Sequence, residues 1–359
     1  LNALFGFDRN QTTLAREIVA GLTTFTTMSY IVVVNPAILV NAGIPEGPSF
    51  VATVLICAVG CYLMAFVANR PFAIGPYMGE NAFVAFTVCK ILGLRWQTAL
   101  AAIFIAGLLF LVLTILRLRQ WVVEGVPTSL RYSFAVGIGL FLTFIGLNET
   151  GIVAIGVPGA PVQPGHLTAG PTLVAMLGFV LIAVLVIRKM PGAILAGIVF
   201  TTFVAFLVHT SPLPQKFLSS PPSLGPIVWQ LDLHGALTRK ALPVVLTIFI
   251  MAFVDTMGTL IGLSARAGFL DESGQLPHIE RPMLVDALTT TLSPVLGTTT
   301  SGAYVESATG IEAGGRTGFT VFVTGTCFLL TLFFAPFVAA IPAQAYGPAL
   351  IIVGLFMLA

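Results

Sequence analysis

Charge is what this sequence has least of. Only 8% of its 359 residues are Asp, Glu, Lys or Arg, against about a quarter in a soluble domain. So few charges cannot cover a water-facing surface, and most soluble enzyme classes are excluded. Nor does one sign dominate. Sixteen Lys and Arg stand against fourteen Asp and Glu, for a net charge of +2. That excludes a strongly basic nucleic-acid surface and an acidic disordered tail. Cysteine is scarce, with four in all. Cys57, Cys61, Cys89 and Cys327 fall in apolar runs, and no His or carboxylate lies near Cys57 and Cys61 in sequence. They read as packing residues, with no metal site, cofactor or disulfide expected. Neither a basic leader nor a small-residue cleavage site precedes the first apolar run, which is expected to stay in the mature protein.

What fills the chain is apolar: 57% hydrophobic residues and a mean hydropathy of +1.01. Crossing ~30 Å of hydrocarbon takes about 20 apolar residues. Runs at roughly 17–38, 49–69, 97–116, 128–147, 172–187, 193–209, 242–264, 317–337 and 346–359 are candidates. Three weaker stretches are 73–89 and 298–312, short and interrupted by Gly, Pro or charge, and 283–297, amphipathic and Thr-rich. Gly/Pro-interrupted segments mark broken helices beside transporter sites. Together these make twelve crossings. With the N-terminus in the cytoplasm, alternation places Arg9, Arg16, Arg70, Arg117, Arg119, Arg131, Arg188, Lys189, Arg266, Arg281 and Arg316 inside. Outside lie Lys90, Arg95, Lys216, Arg239 and Lys240, three of them in one long loop, 210–241, that counts little. Residues 148–171, without Lys or Arg and rich in Gly and Pro, read as an irregular external connection, with no function for His166. Residues 271–282 read as a polar cytoplasmic turn.

The two broken segments resemble each other. IGPYMGENAF (74–83) and SGAYVESATG (301–310) align Gly75-x-Tyr77 with Gly302-x-Tyr304, and Thr27-Met28 matches Thr256-Met257 upstream at a similar offset. Seven crossings precede residue 242, so a second copy starting there enters from the opposite side. That is the inverted repeat of secondary transporters.

A carboxylate at the bilayer centre costs about 2.5–3.5 kcal/mol on insertion scales and usually faces a cavity. Asp255, alone within LTIFIMAFVDTMGTLIGLSA, points to substrate or proton binding; the blander alternative is a protonated helix–helix contact. Glu306 follows the Thr298–Thr299–Thr300–Ser301–Gly302 run, which favours extended backbone before a helix start. A ligand acceptor there competes with a capping role. Glu80 and Asn81 repeat the theme after Gly75 and Pro76. Asn81 can donate and accept toward a heterocycle edge or bond another helix, and Glu80 either meets the ligand or sits at the water boundary. Thr23, Thr24, Thr26, Thr27 and Ser29 read as helix-contact residues, the lesser alternative being that they face the site. Glu149 closes a span at the interface, Asp286 is placed to pair with Arg281, and Glu312 with Arg316 four residues on.

FVDTMGTLIGLSARAGFL, LVDALTTTLSPVLGTTTSGAYVESATGIEAGGRTG and EIVAGLTTFTTMSYIVVVNPAIL resemble the AzgA-like purine permeases. These belong to the nucleobase–cation symporter group that includes uracil and xanthine permeases. The resemblance covers essentially the whole chain and is most specific around Asp255 and Glu306. It implies an all-α polytopic membrane protein of uracil-permease type, with an inverted 7+7 repeat and broken helices in segments 3 and 10, each half strand and half helix. A core domain would take 1–120 (segments 1–4) and 242–340 (segments 8–11). A gate domain would take 121–241 (segments 5–7) and begin again at 341–359, where the chain ends inside segment 12, with 13 and 14 absent. The implied function is transport rather than catalysis: purine uptake (hypoxanthine, adenine or guanine) with a proton, Na⁺ being less favoured. The core would move past the gate like an elevator in the cell (inner or plasma) membrane, with a homodimer open and no nucleic-acid partner. Residue by residue, Asp255 and Glu306 match the acids of segments 8 and 10 for substrate and proton, and Gly79 and Asn81 match the Gly-x-Asn of segment 3. Thr259, one turn after Asp255, matches a contact position. Glu80 stands where many members carry an apolar residue, which bears on substrate choice. Backbone N–H groups near Gly79 and Ser307 would donate to the base.

Two other readings compete. An anion transporter or channel of the same architecture would want a positive site between facing half-helices, where this chain places acids. An intramembrane aspartyl protease needs two carboxylates sharing a proton, and no Gly-x-Gly-Asp element is present.

Overall fold

Helix ends fall where the apolar runs break. Thr13 starts helix Leu14–Met28 by accepting from the Arg16 N–H. The chain bends at Ser29–Tyr30 and resumes as Ile31–Val40, so the first run is two helices rather than one rod. A computed structural model describes residues 2–8, 10–116, 128–157, 160–213, 216–272 and 276–356. Arg9, Arg117 and Arg119 of the orientation count, and parts of the 271–282 turn and the final run, lie outside them. Within them the fold is mostly helical, and six helical stretches, three of them built from more than one helix, are long and apolar enough to cross a membrane: Leu14–Val40, Glu46–Ala68, Trp96–Ile115, Gly170–Ile187, Leu242–Ala267 and Gly318–Ala339. Ala193–Leu207 and Ala343–Phe356 are shorter apolar helices. Two antiparallel strand pairs are present: Ile74–Pro76 with Ser301–Ala303, in the two segments expected to be half strand, and Val153–Val157 with Ala160–Pro164, which the all-α expectation did not include.

Packing divides the chain into two units, Leu1–Pro127 with Pro221–Phe333, and Thr128–Ser220 with Phe334–Ala359. In the first, small residues let helices approach closely, as expected where lipid supplies no hydrophobic drive. A Cβ on Gly107 would strike Thr291, and one on Gly21 would strike Val323. Thr324 donates to the Gly21 carbonyl at 3.0 Å. Cys57 and Cys61 are free and fully buried, and Cys61 lies against Gly325. The boundary shifts from the sequence reading, since residues 221–241 pack here. Ile227 is buried with Leu39, Ile44 and Ala52, and Trp229 donates its N–H to the Val295 carbonyl at 2.8 Å. Asp232 accepts from the Gly235 N–H at 2.9 Å and the Thr98 hydroxyl at 2.8 Å. The Gly235 N–H first, then Thr98, hold its carboxyl below the usual aspartate value. Residues 334–340 pack with the second unit.

In the second unit, Gly146 lies against Gly347 and Ile351, Gly178 against Thr201, and Gly197 against Ile182. Glu149 accepts from the Tyr346 hydroxyl at 3.2 Å. The stretch expected to be irregular is a hairpin, in register from Val153 opposite Pro164 to Val157 opposite Ala160. Val153 and Ile155, two apart, and Val162, directly opposite Ile155, share one face of the pair, a pattern that its Gly and Pro content hides.

Candidate functional site

The first unit carries the strand pair that organises the candidate site. Gly75 lies directly opposite Gly302, with Ile74 opposite Ala303 and Pro76 opposite Ser301. Two flanking bonds share one pattern: the Tyr77 N–H donates to the Thr300 carbonyl at 3.0 Å, and the Tyr304 N–H to the Ala73 carbonyl at 2.8 Å. Advancing Tyr77 and Ala73 by the offset seen in sequence turns one bond into the other, so the repeat motif is a local two-fold crossing. Its glycines make room for the tyrosines. A Cβ on Gly302 would strike the Tyr77 hydroxyl, and one on Gly75 would press the Tyr304 ring at 3.1 Å. Each strand leads into a short helix, Met78–Ala82 or Ser307–Glu312. Helix Leu242–Ala267 packs against both helices and against Ser301–Ala303.

Thr-rich sequence explains how the second strand is held. Gly297, at φ 92°, ends helix Glu280–Leu296 in a left-handed turn that favours glycine. The chain then runs back along that helix, where Thr289 and Thr290 donate to the Ser301 carbonyl at 3.1 and 2.8 Å. Ser293 bonds the Ser301 hydroxyl at 2.8 Å.

Asp255 sits beside the crossing. The next residue, Thr256, bonds the Tyr77 hydroxyl at 3.2 Å. Asp255 is half-buried, and its carboxylate has no hydrogen-bond or ion-pair partner among the described residues, so the helix–helix contact considered from sequence is not made. Thr259, one turn on, is buried. Glu306 is also half-buried and precedes helix Ser307–Glu312, yet its side chain makes no capping bond. It accepts from the Tyr30 hydroxyl at 2.6 Å instead. Tyr304 lies within electrostatic reach of both Glu306 and Asp255.

The other expected residues are less accessible. Glu80 is 1% exposed, which removes the water-boundary reading, and neither carboxylate oxygen has a hydrogen-bond partner. The Asp255 carboxylate and the Thr300 hydroxyl lie near it, the hydroxyl outside ordinary hydrogen-bond geometry. Asn81 is fully buried. Its amide donates to Asn35 and accepts from Thr299, and Asn35 in turn reaches Thr53 at 2.7 Å and Thr298 at 3.1 Å. Each end of that amide already holds one protein partner. Gly79 lies in the first turn of Met78–Ala82, and no acceptor among the described residues takes the N–H of Met78, Gly79 or Glu80. Ser307 is engaged: its hydroxyl accepts from the Ala73 N–H at 2.9 Å and its N–H donates to the Tyr304 carbonyl at 3.0 Å.

Two pairings inferred from spacing are overturned. Asp286 does not meet Arg281. Five residues on, it lies about 140° round the helix, fully buried, and its Oδ2 accepts from the Ala303 N–H at 3.1 Å and the Tyr77 hydroxyl at 3.5 Å. Glu312 pairs with Arg266 at 2.6 Å, while Arg316 donates to the Ile311 and Gly315 carbonyls. Sequence reasoning also missed Tyr30 and Glu17. Glu17 is fully buried and accepts from the N–H groups of Arg316, Thr317 and Thr320 and from both Thr hydroxyls. It thereby satisfies the N-terminus of helix Gly318–Thr331, where an anion is favoured.

The described residues thus hold a glycine-paired crossing flanked by Asp255, Glu306, Glu80 and Asp286, none of which pairs with a cation among them. The model of the Permease family (Xan_ur_permease) matches residues 15–359. The chain belongs to this permease family. Among its relatives, a putative permease of Methanocaldococcus jannaschii, MJ0326, is 44% identical over 99% of this chain and 81% of its own length. The adenine permease AdeP of Escherichia coli is 39% identical over 99% and 80%, and the guanine/hypoxanthine permease PbuG of Bacillus subtilis 37% over 100% and 84%. The resemblance read from the Asp255 and Glu306 motifs is borne out at the level of family, and the protein is a membrane permease rather than an enzyme. Its fold is shared with the transmembrane domain of the cyanobacterial bicarbonate transporter BicA, at a TM-score of 0.72 and 16% identity over 96% of this chain and 89% of that one.

Proposed function

We propose that this permease imports purine nucleobases with a proton, by alternating access of an inverted 7+7 repeat. The observation that carries the reading is the pair of half-buried carboxylates, Asp255 and Glu306, on elements that meet at the glycine-paired crossing. A purine presents N–H donors and ring or carbonyl acceptors. Asp255 and Glu306 accept from the donors. The unclaimed N–H groups of Met78, Gly79 and Glu80 meet an acceptor. The relatives named as adenine and guanine/hypoxanthine permeases support this substrate class. In this reading the first packing unit is the core that carries the base, and the second is the gate domain. The N-terminus faces the cytoplasm and the protein resides in the cell membrane. An anion substrate, the alternative suggested by the shared fold, is disfavoured because no Lys or Arg bonds these acids among the described residues.

The test is uptake of radiolabelled hypoxanthine with a panel of competing bases and bicarbonate. Purines should compete and bicarbonate should not; the reverse overturns the substrate class. Collapsing the proton gradient with a protonophore at constant Na⁺ should stop accumulation. Uptake that survives the protonophore and stops without Na⁺ overturns proton coupling.

Glu80 adds selectivity. Its unpartnered carboxylate is suited to accept the exocyclic amine of guanine or adenine. Glu80→Leu should cut aminopurine uptake about tenfold more than hypoxanthine uptake, since a site group left without its partner penalises the wrong ligand. Equal effects on all purines would remove this role.

A further inference from the structure

Asp286 is the most deeply buried acid beside the crossing and has no place in base binding. It is 0% exposed, and its Oδ1 has no hydrogen-bond partner. Around Tyr77 stand three carboxylates, Asp286, Asp255 and Glu80, all within its electrostatic reach. Glu80 and the Thr300 hydroxyl are likewise buried and unpartnered.

The elements packed on the Asp286 helix bring no compensating charge. Trp96–Ile115 carries no ionisable residue, and Glu46–Leu63 brings Glu46 in its first turn and Cys57, Cys61 and Tyr62. Met64–Ala68 and the Ser301–Ala303 strand bring none, and Leu242–Ala267 brings Asp255 with Arg266 in its last turn. Arg266 is taken by Glu312 at an exposed position. A buried carboxylate without a counter-charge is costly and takes up a cation. Three together repel, so they cannot all be ionised.

We propose that Asp286 is the proton-carrying carboxyl of this permease, binding and releasing one proton per cycle without touching the base. This rests on the transport reading above and moves the coupling proton from Asp255 and Glu306, where the family resemblance put it, to the third acid. The proton adds to the free Oδ1 from water on one side of the membrane and leaves to water on the other, with no other bond made or broken. The base site feels the change through the strand. Ionised Asp286 accepts a charge-assisted bond from the Ala303 N–H, and neutral Asp286 a weaker one. Ala303 ends the Ser301–Ala303 strand, three residues before Glu306. Charge at Asp286 therefore sets how firmly the strand is held, and with it the placement of Glu306. The Tyr77 hydroxyl faces the same Oδ2, so the crossing is tied to Asp286 from both strands.

The test uses the whole protein in proteoliposomes. Asp286→Asn should still exchange base for base, at a rate set by the neutral form. It should lose accumulation driven by an inward proton gradient, and its exchange should no longer vary with pH. Proton-driven accumulation with the wild-type pH profile overturns the proposal. A second measurement does not depend on recovering that variant: proton uptake on hypoxanthine binding, read with a pH indicator in weak buffer. Asp255→Asn and Glu306→Gln should still take up the proton with whatever base they bind. If either binds base without taking up a proton, the proton sits there and the proposal is overturned. A wild type that neither exchanges nor accumulates any purine overturns the transport reading itself, a different result from failure of Asp286 alone.

Discussion

Replacing Asp255 with Asn is expected to abolish purine uptake while leaving the folded protein in the membrane. The carboxylate is half-buried and accepts no hydrogen bond from the described residues, so its removal breaks no contact that holds the fold. What is lost is the acceptor for a purine N–H. A hydrogen bond to a charged group contributes about 1.5–3 kcal/mol, and the Asn amide can also turn a donor toward the base donor. Uptake falls to background, while thermal unfolding and the size-exclusion profile match the wild type. Asp255→Glu should keep partial uptake with altered affinity, because the charge survives but moves by one methylene. Wild-type uptake by Asp255→Asn would exclude this residue as a ligand.

Glu306→Gln should weaken binding by roughly ten- to a hundredfold, as expected from losing one charge-assisted acceptor. The Tyr30 hydroxyl now donates to Glu306 Oε1 at 2.6 Å. Gln can keep that bond through its carbonyl but offers an amide N–H₂ in place of the second oxygen. Isothermal titration of the purified protein with hypoxanthine measures the change. An unchanged dissociation constant would leave Glu306 as a partner of Tyr30 alone.

Much of this site was legible because its signals are local. A lone acid in an apolar run needs no partner to be noticed, and that found Asp255. The Gly-x-Tyr motif found the crossing, since two strands can pair so closely beside two tyrosine rings only through glycine. Partners remote in sequence were not legible. Tyr30 meets Glu306 across 276 positions and Glu17 meets Thr317 across 300, and no periodicity encodes either. Asp286 was misread for a different reason. Its spacing of five from Arg281 already turned it away from that cation, so the helical angle pointed inward. Asn81 looked free to bind a heterocycle because its amide can do so; Asn35 and Thr299 occupy it. The hairpin at 153–164 was hidden by Gly and Pro, which mark a turn but do not reveal the strands on either side.

The most direct measurement is a cryo-electron-microscopy structure of the permease with hypoxanthine bound. The expected result is base density at the crossing, within hydrogen-bond distance of both the Asp255 and Glu306 carboxylates, with a ring or carbonyl acceptor facing the N–H groups of Met78, Gly79 or Glu80. Base density elsewhere, or a base that meets neither carboxylate, would contradict it.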